Sequence, residues 1–348
     1  MFFASDNAGP AHPQVLSAVA AANDGYAMGY GNDPLTQAVQ QQIRDLFEAP
    51  DAAVYLVATG TAANALALAT LCQPWQTVFC SPTAHIHEDE CNAPEFFTGG
   101  AKLTLVGDQD TMTPDALRAA ILGEETRGVH GPQRGPVSIT QVTERGQVYG
   151  LDELRALCGV AKEHGLPVHL DGARFANALV TLGCSPADMT WRAGVDAVSF
   201  GGTKNGCMGV EAVVIFDPVK AWEFELRRKR GAQLFSKHRF LAAQMQGYLA
   251  DGLWMQTARA ANDSCARLVA GLQGLDGVDL LYPPQANIVF ADMPRAMHQR
   301  LHDAGAVYYI MRGTLEGDDP AEPLMARFVT DWSIGADQID AFLKVAAG

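Results

Sequence analysis

The chain has no Cys-x-x-Cys pair, although it carries seven cysteines in 348 residues. Cys72, Cys80, Cys91, Cys158, Cys184, Cys207 and Cys265 are scattered and odd in number. That pattern excludes a structural zinc site and a disulfide framework, and it fits a reducing compartment. Positive charge is also scarce: 25 Lys and Arg stand against 39 Asp and Glu, a net charge of −14. Neither nucleic acid nor an anionic membrane surface suits such a balance. There is no uninterrupted apolar run long enough to span a bilayer. The most apolar window, 52–72, is broken by Thr59-Gly60-Thr61 and Asn64, which suit a strand, a turn and a helix. Internal repeats and low-complexity segments are absent. The opening Met-Phe-Phe-Ala-Ser-Asp-Asn has no basic residue and no long apolar core, so a cytoplasmic protein is expected.

What is present is an ordinary globular composition, 48% hydrophobic and 18% charged. A chain of this length exceeds what one core usually serves. Short apolar runs at 54–58, 77–81, 102–106, 137–142, 167–170, 197–200 and 211–216 read as strands. Between most of them lie helical patterns such as 62–71, 115–122 and 152–164. This alternation predicts an α/β fold, a mostly parallel sheet of seven-strand type flanked by helices. Asp33 before Pro34 predicts a capped helix start. Residues 236–254 read as helix, then 257–275. From about residue 277 the pattern changes to strands at 278–282, 287–291 and 327–330, with helices at 296–304 and 336–346. The expectation is a large domain over residues 1–250 and a smaller α+β domain over 251–348. The basic run Arg227-Arg228-Lys229-Arg230 reads as a solvated helix face.

Two strand ends carry the chemistry. One is Ser199-Phe200-Gly201-Gly202-Thr203-Lys204, where small residues crowd a single lysine. Glycines there would let the backbone approach a flat bound ring, and a lysine amine is the usual Schiff-base nucleophile. The other is His169-Leu170-Asp171-Gly172-Ala173-Arg174. Taken alone, the first is a glycine-rich turn and Asp171 a helix cap. Together they supply what pyridoxal phosphate requires: one residue for the aldehyde and one for the pyridine nitrogen. Thr59-Gly60-Thr61 opens a helix after a strand, which is a seat for phosphate as well as a simple threonine cap. The stretch Ala84-His85-Ile86-His87-Glu88-Asp89-Glu90 is dense in titratable groups. It lacks the spacing of structural zinc, so no metal is expected, and a histidine stacked on a cofactor ring is the alternative.

These residues occur in an order that resembles, over nearly the whole chain, the low-specificity L-threonine aldolases. That family lies within the aspartate-aminotransferase-like fold group of pyridoxal phosphate enzymes. The resemblance rests on Ser5-Asp6-Asn7, Tyr30-Gly31-Asn32-Asp33-Pro34, Thr59 to Asn64, Ala84-His85, Glu95-Phe96-Phe97, His169 to Arg174, Ser199 to Lys204 and Arg327-Phe328-Val329-Thr330. It implies retro-aldol cleavage of L-threonine, L-allo-threonine and related β-hydroxy-α-amino acids to glycine and an aldehyde.

The resemblance also implies roles. Lys204 would hold the cofactor aldehyde, Asp171 the pyridine nitrogen, Gly60 and Thr61 the phosphate. His85 would stack on the ring and is the first choice of base, with Glu90 and Glu144 behind it. Ser5, Tyr30, Arg174 and Arg327 would meet the substrate. Family members are dimers or tetramers with shared active sites, and Arg230, Lys237 or Arg239 would reach a neighbour's phosphate. The family's histidine after the threonine of the Gly-x-Val turn is here Glu144, following Thr143. Glu144 or His87 then becomes a candidate for the substrate hydroxyl. Other reactions of the same scaffold, transamination or β-elimination, and a non-catalytic cofactor binder are the alternatives.

Overall fold

Runs such as 53–57 and 197–201 are buried at every position, as strands covered on both faces must be. The computed structural model describes all residues from Met1 to Gly348. The first seven strands are β1 (Ala53–Val57), β2 (Gln76–Cys80), β3 (Lys102–Leu105), β4 (Gln133–Thr140), β5 (Val168–Gly172), β6 (Ala197–Gly201) and β7 (Glu211–Ile215). They form one sheet in the order β1-β7-β6-β5-β4-β2-β3. The pairs β2–β3, β2–β4, β4–β5 and β5–β6 are parallel. Only β7 runs against its neighbours, β1 on one side and β6 on the other. The predicted mostly parallel, seven-stranded sheet with flanking helices is therefore the observed one.

The helix Gly60–Leu71 is buried from Ala62 to Thr70. Its alanines let it pack closely against the sheet on one side and the helices Ala93–Thr98 and Ala221–Arg230 on the other. Beneath the sheet the rings of Phe47, Phe175, Phe200 and Trp254 meet edge-on or tilted.

A second sheet, of four antiparallel strands, holds β8 (Asp279–Leu280), β9 (Ile288–Pro294), β10 (Tyr309–Arg312) and β11 (Pro323–Val329). The strand β10 has no counterpart in the sequence reading, because three of its four residues are exposed or charged. Phe3 packs in this second core with Phe328 and Phe342. Its amide donates to the Val307 carbonyl and its carbonyl accepts from Val329, both at 2.8 Å. The first residues of the chain thus sit with the smaller sheet. The helix Leu253–Leu272 joins the two cores: Trp254 and Ala258 lie in the larger, Cys265 and Leu268 in the smaller.

Three expectations are corrected. The helix expected over 236–254 is two helices. Arg239–Leu249 stops at Ala250–Gly252, where Asp251 (φ 54°) and Gly252 (φ 69°) are left-handed, and a new helix begins. The basic run is not wholly solvated. Arg228 is buried, with its guanidinium 4.9 Å from the Tyr55 ring centre. The glycines at the strand ends have a different purpose from the one read in the sequence. A side chain at Gly172 would meet the Ser199 carbonyl at 2.6 Å, and at Gly202 the Val210 carbonyl at 2.7 Å. At Gly201 it would collide with the Ala173 carbonyl. These glycines let β5, β6 and the turn after β6 close on one another, rather than letting a ring approach.

Gly201→Ala should therefore destabilise the protein by about 1–3 kcal/mol through overpacking. Denaturant unfolding of the variant checks this; a midpoint equal to wild type would show that the strand ends can part without cost.

Candidate active site

Parallel strands deliver the loops at their C-terminal ends to one edge of the sheet, and there ligands bind. After β1 comes the helix starting at Gly60. After β2 comes His85. Asp171 lies at the end of β5, and Lys204 comes after β6 in the 3-10 turn Thr203–Asn205. A cleft of about 380 Å³ is lined by Asn7, Gly60, Thr61, Asn64, His85, Asp171, Lys204 and Glu211 among others. Four stretches separated widely in sequence thus bring Gly60, Thr61, His85, Asp171 and Lys204 to one cleft.

Each is held by neighbours. Asp171 Oδ1 accepts from the Ala173 amide at 3.0 Å and Oδ2 from Asn64 Nδ2 at 2.9 Å. Behind it a buried row crosses the three central strands: Ser138 Oγ and Ser199 Oγ each lie 3.0 Å from a ring nitrogen of His169. Burial pushes the His169 ring down to about 4, so this histidine is a neutral strut. The turn carrying Lys204 is pinned by Asn205, whose Nδ2 donates to Tyr248 Oη at 2.7 Å and the Trp254 carbonyl at 2.8 Å.

At the helix start, Thr59 Oγ1 accepts from the Ala62 amide at 3.2 Å, and its carbonyl from Ala63 at 3.0 Å. The amides of Gly60 and Thr61 precede these bonds and are left free. A side chain at Gly60 would meet nothing within 4 Å. The protein does not itself require glycine there, and the open space lies over two free donors at a positive helix end.

His85 Nδ1 lies 2.9 Å from Glu90 Oε1. That hydrogen bond raises the imidazole above its ordinary range, against the effect of burial. His87, the rival histidine, is exposed and does not line the cleft.

Arg174 is buried and engages Asp6 through two parallel bonds, Nε to Oδ2 at 2.7 Å and Nη2 to Oδ1 at 3.0 Å. Burial alone would raise the Asp6 carboxyl, but Arg174, with Lys204 and Asn287, outweighs it and holds the group below the usual range. Arg327 donates to the Ala4 carbonyl at 3.3 Å and leaves its buried Nε unpartnered. Its charge is disfavoured by burial and then by Arg174, so two guanidiniums share a region that wants an anion. Glu144 makes its charge felt at His85, Arg174 and Arg327 alike, so it belongs to this region.

Arg174, Arg327 and Glu144 do not themselves line the cleft, and neither do the remaining sequence candidates of the same chain. Ser5 Oγ accepts from the Asn7 amide at 3.1 Å, capping the loop at the cleft's edge. Tyr30 is exposed in a left-handed conformation (φ 61°), with Lys229 5.0 Å from its ring centre. Arg239 is half-buried and donates to the carbonyls of Asp24 and Gly25.

Two acidic residues at the site went unread in the sequence. Asp6 stands in the Ser5-Asp6-Asn7 motif, where nothing local gives it a role. Glu211 opens an otherwise apolar strand, Glu-Ala-Val-Val-Ile, and that lone carboxylate was its only signal. It reaches the cleft because β7 is reversed: its first residue lies at the edge where the parallel strands end, opposite Gly201 and Val57. Its Oε2 accepts from the Gly202 amide at 2.7 Å. Burial raises the Glu211 carboxyl to about 7, opposed by Thr203, Gly202 and the charge of Lys204.

The comparisons with known proteins agree with this geometry. A family profile described as beta-eliminating lyase matches residues 3–296. A low specificity L-threonine aldolase from a Pseudomonas species is 44% identical over 314 residues, 90% of each chain. Its namesake in Pseudomonas aeruginosa is 43% identical over 97% of this chain and 94% of its own. A Leishmania major threonine aldolase structure superposes with a TM-score of 0.91 at 27% identity, covering 99% of this chain and 98% of that one. A Sphingomonas wittichii serine palmitoyltransferase, 17% identical with a TM-score of 0.73 over 100% of this chain and 86% of its own, shares the fold. The profile spans most of the chain, and the chain belongs to the beta-eliminating lyase family. Within that family it is one of the low-specificity L-threonine aldolases.

The raised Glu211 carboxyl has a consequence for stability. The folded protein favours its neutral form, so its contribution is complete below the unfolded value near 4.5 and is lost as pH rises through about 7. Glu211→Gln should match wild type near pH 4 and gain on it toward pH 8, by up to about 3 kcal/mol. Unfolding of both proteins across that range measures the difference; a gap constant with pH would contradict the assignment.

Proposed function

We propose that the chain cleaves L-threonine, L-allo-threonine and related β-hydroxy-α-amino acids to glycine and an aldehyde, with pyridoxal phosphate as cofactor. One observation carries the reading: a lysine, a buried carboxylate and two free helix-start amides face one cleft of about 380 Å³. The donor set fits a planar, anionic cofactor. Gly60 and Thr61 would hold its phosphate, Lys204 its aldehyde, Asp171 the proton of its ring nitrogen, and His85 would lie against the ring. Bound there, pyridoxal phosphate supplies an aldehyde that captures amines and a ring that accepts the electron pair of a broken bond at Cα.

The chain's own residues do the rest. Arg174 and Arg327 bind the substrate carboxylate, with Ser5 near the same end. Arg174 keeps one face of its guanidinium on Asp6, which fixes its plane. Holding the carboxylate orients the Cα–Cβ bond for cleavage. His85, its Nδ1 engaged by Glu90, takes the β-hydroxyl proton at Nε2. The electrons of that O–H bond form the aldehyde carbonyl as Cα–Cβ breaks, and a proton returned to Cα completes glycine. The charge of Asp171 stabilises the ring proton throughout. Glu144, close enough to act on His85 and both arginines, is our candidate for contact with the hydroxyl.

We further infer that a second copy completes the site. Phe96, Trp222 and Leu226 are large exposed apolar side chains. Arg230 shares a cleft of about 660 Å³ with Phe96 and Leu226. A neighbour covering this face would bring Arg230, Lys237 or Arg239 to a phosphate, and Tyr30 to a substrate. Seven unpaired cysteines favour the reducing cytoplasm. No helix is long and apolar enough to cross a membrane.

Lys204→Ala should reduce glycine formation from threonine to background, and borohydride should no longer fix the cofactor to the chain. Full turnover in that variant would end the reading. His85→Asn should slow cleavage by about 10²-fold or more, the usual worth of a general base, with cofactor affinity little changed. An unchanged kcat would move the base elsewhere. Glycine as product, rather than a keto acid, separates the aldolase from transamination and β-elimination.

A further inference from the structure

His85 is the end of a buried chain of polar groups. Its Nδ1 lies 2.9 Å from Glu90 Oε1. The Asn64 amide nitrogen donates to that same oxygen at 2.9 Å, and to Asp171 Oδ2, also at 2.9 Å. One imidazole, one amide and two carboxylates therefore run unbroken from the cleft wall to the end of β5. Asn64 and Glu90 are 2% and 4% exposed.

Stability alone does not account for this arrangement. Glu90 Oε2 and Asn64 Oδ1 are buried and have no hydrogen-bond partner. A buried acceptor left unpaired is costly, most of all on a carboxylate. The turn that directly follows Glu90 is also strained: Cys91 (φ 49°) and Asn92 (φ 59°) are consecutive left-handed residues, and neither is glycine. Strain of this kind is kept where a site demands a geometry. The charged groups facing the pair are Asp171 and Glu144, which are acidic, and Lys204, which is basic.

We propose that Glu90 is the positioning residue of His85, and that Asn64 couples the pair to Asp171. Glu90 fixes the proton on Nδ1 and so leaves Nε2 as the ring's free lone pair. When Nε2 takes the substrate's hydroxyl proton, the Nδ1 proton stays where it is, and the ionised Glu90 stabilises the imidazolium. Asn64 donates to both carboxylates and so stands between two like charges. The positioning stands on the geometry; its use in cleavage rests on the aldolase reading.

The test is histidine-labelled nitrogen NMR on the full-length chain, with and without pyridoxal phosphate, taking the His85 signal as the one lost in His85→Asn. In wild type the ring should carry its proton on Nδ1 when neutral and titrate above the ordinary value of about 6.5. Glu90→Gln keeps an oxygen for Nδ1–H but loses the charge. Its His85 midpoint should fall by about one pH unit, a tenfold loss of proton affinity. Its kcat should drop about tenfold or more, with KM little changed. Asn64→Leu removes the competing donor from Glu90 Oε1, so the midpoint should rise. Simple disruption of packing would move both variants the same way, and that result overturns the proposal. So does a Glu90→Gln midpoint equal to wild type. If Glu90→Gln does not fold, the Asn64→Leu shift decides, a fall or no shift counting against the proposal. A midpoint that falls while threonine cleavage keeps its rate leaves the positioning intact and removes His85 as the base.

Discussion

The buried pair of Arg174 and Asp6 is the contact on which the site's shape depends. Arg174 lies just past β5, and Asp6 lies in the opening loop. Asn287, just before β9, donates to the same carboxylate at 3.0 Å and to the Thr330 carbonyl at 2.8 Å. Three stretches distant in sequence are thereby tied at one point, between the large sheet and the small one. Both ions of the pair are buried, so removing one partner would leave a buried charge uncompensated, at a cost of about 3–5 kcal/mol. The pair also leaves Arg174 with a fixed plane, while its neighbour Arg327 keeps a buried Nε without a hydrogen-bond partner. A substrate carboxylate is the group that such a region lacks.

The same sheet edge is shaped by one reversed strand. Had β7 run parallel, its first residue would lie at the far edge, and no carboxyl would lie beneath the turn of Lys204. Reversal brings Glu211 to the Gly202 amide. The glycines of β5 and β6 then follow from packing: the strand ends approach so closely that any side chain would strike a neighbouring carbonyl. The lysine's setting is therefore built by backbone contact and by a buried carboxyl, with the cleft opening above it.

Much of this was legible in residue order. Buried strands announced themselves as short apolar runs, and alternation with helices implied a parallel sheet. Asp171 and Lys204 were found because each comes at the end of such a run. Gly60 and Thr61 were found because a strand-turn-helix has an obvious anion seat. Other features had no local signal. The exposure of β10 hid it, the break after Leu249 lies in two left-handed residues, and Arg228 turns inward to stack on Tyr55 from a stretch that reads as solvated.

The sequence by itself determined the class of fold and the family to which the chain belongs, and it named candidates for the chemistry. Those depend on patterns of burial along the chain and on motifs in a shared order. Only the tertiary structure showed that Asp6 and Glu211 are buried at the site and that Glu90 holds His85. Asp6, Glu90 and Glu211 are three among 39 carboxylates, and what sets them apart is burial and partner. Burial is a property of the whole fold and the Asp6–Arg174 pair joins residues 168 apart, so no short window of sequence contains either.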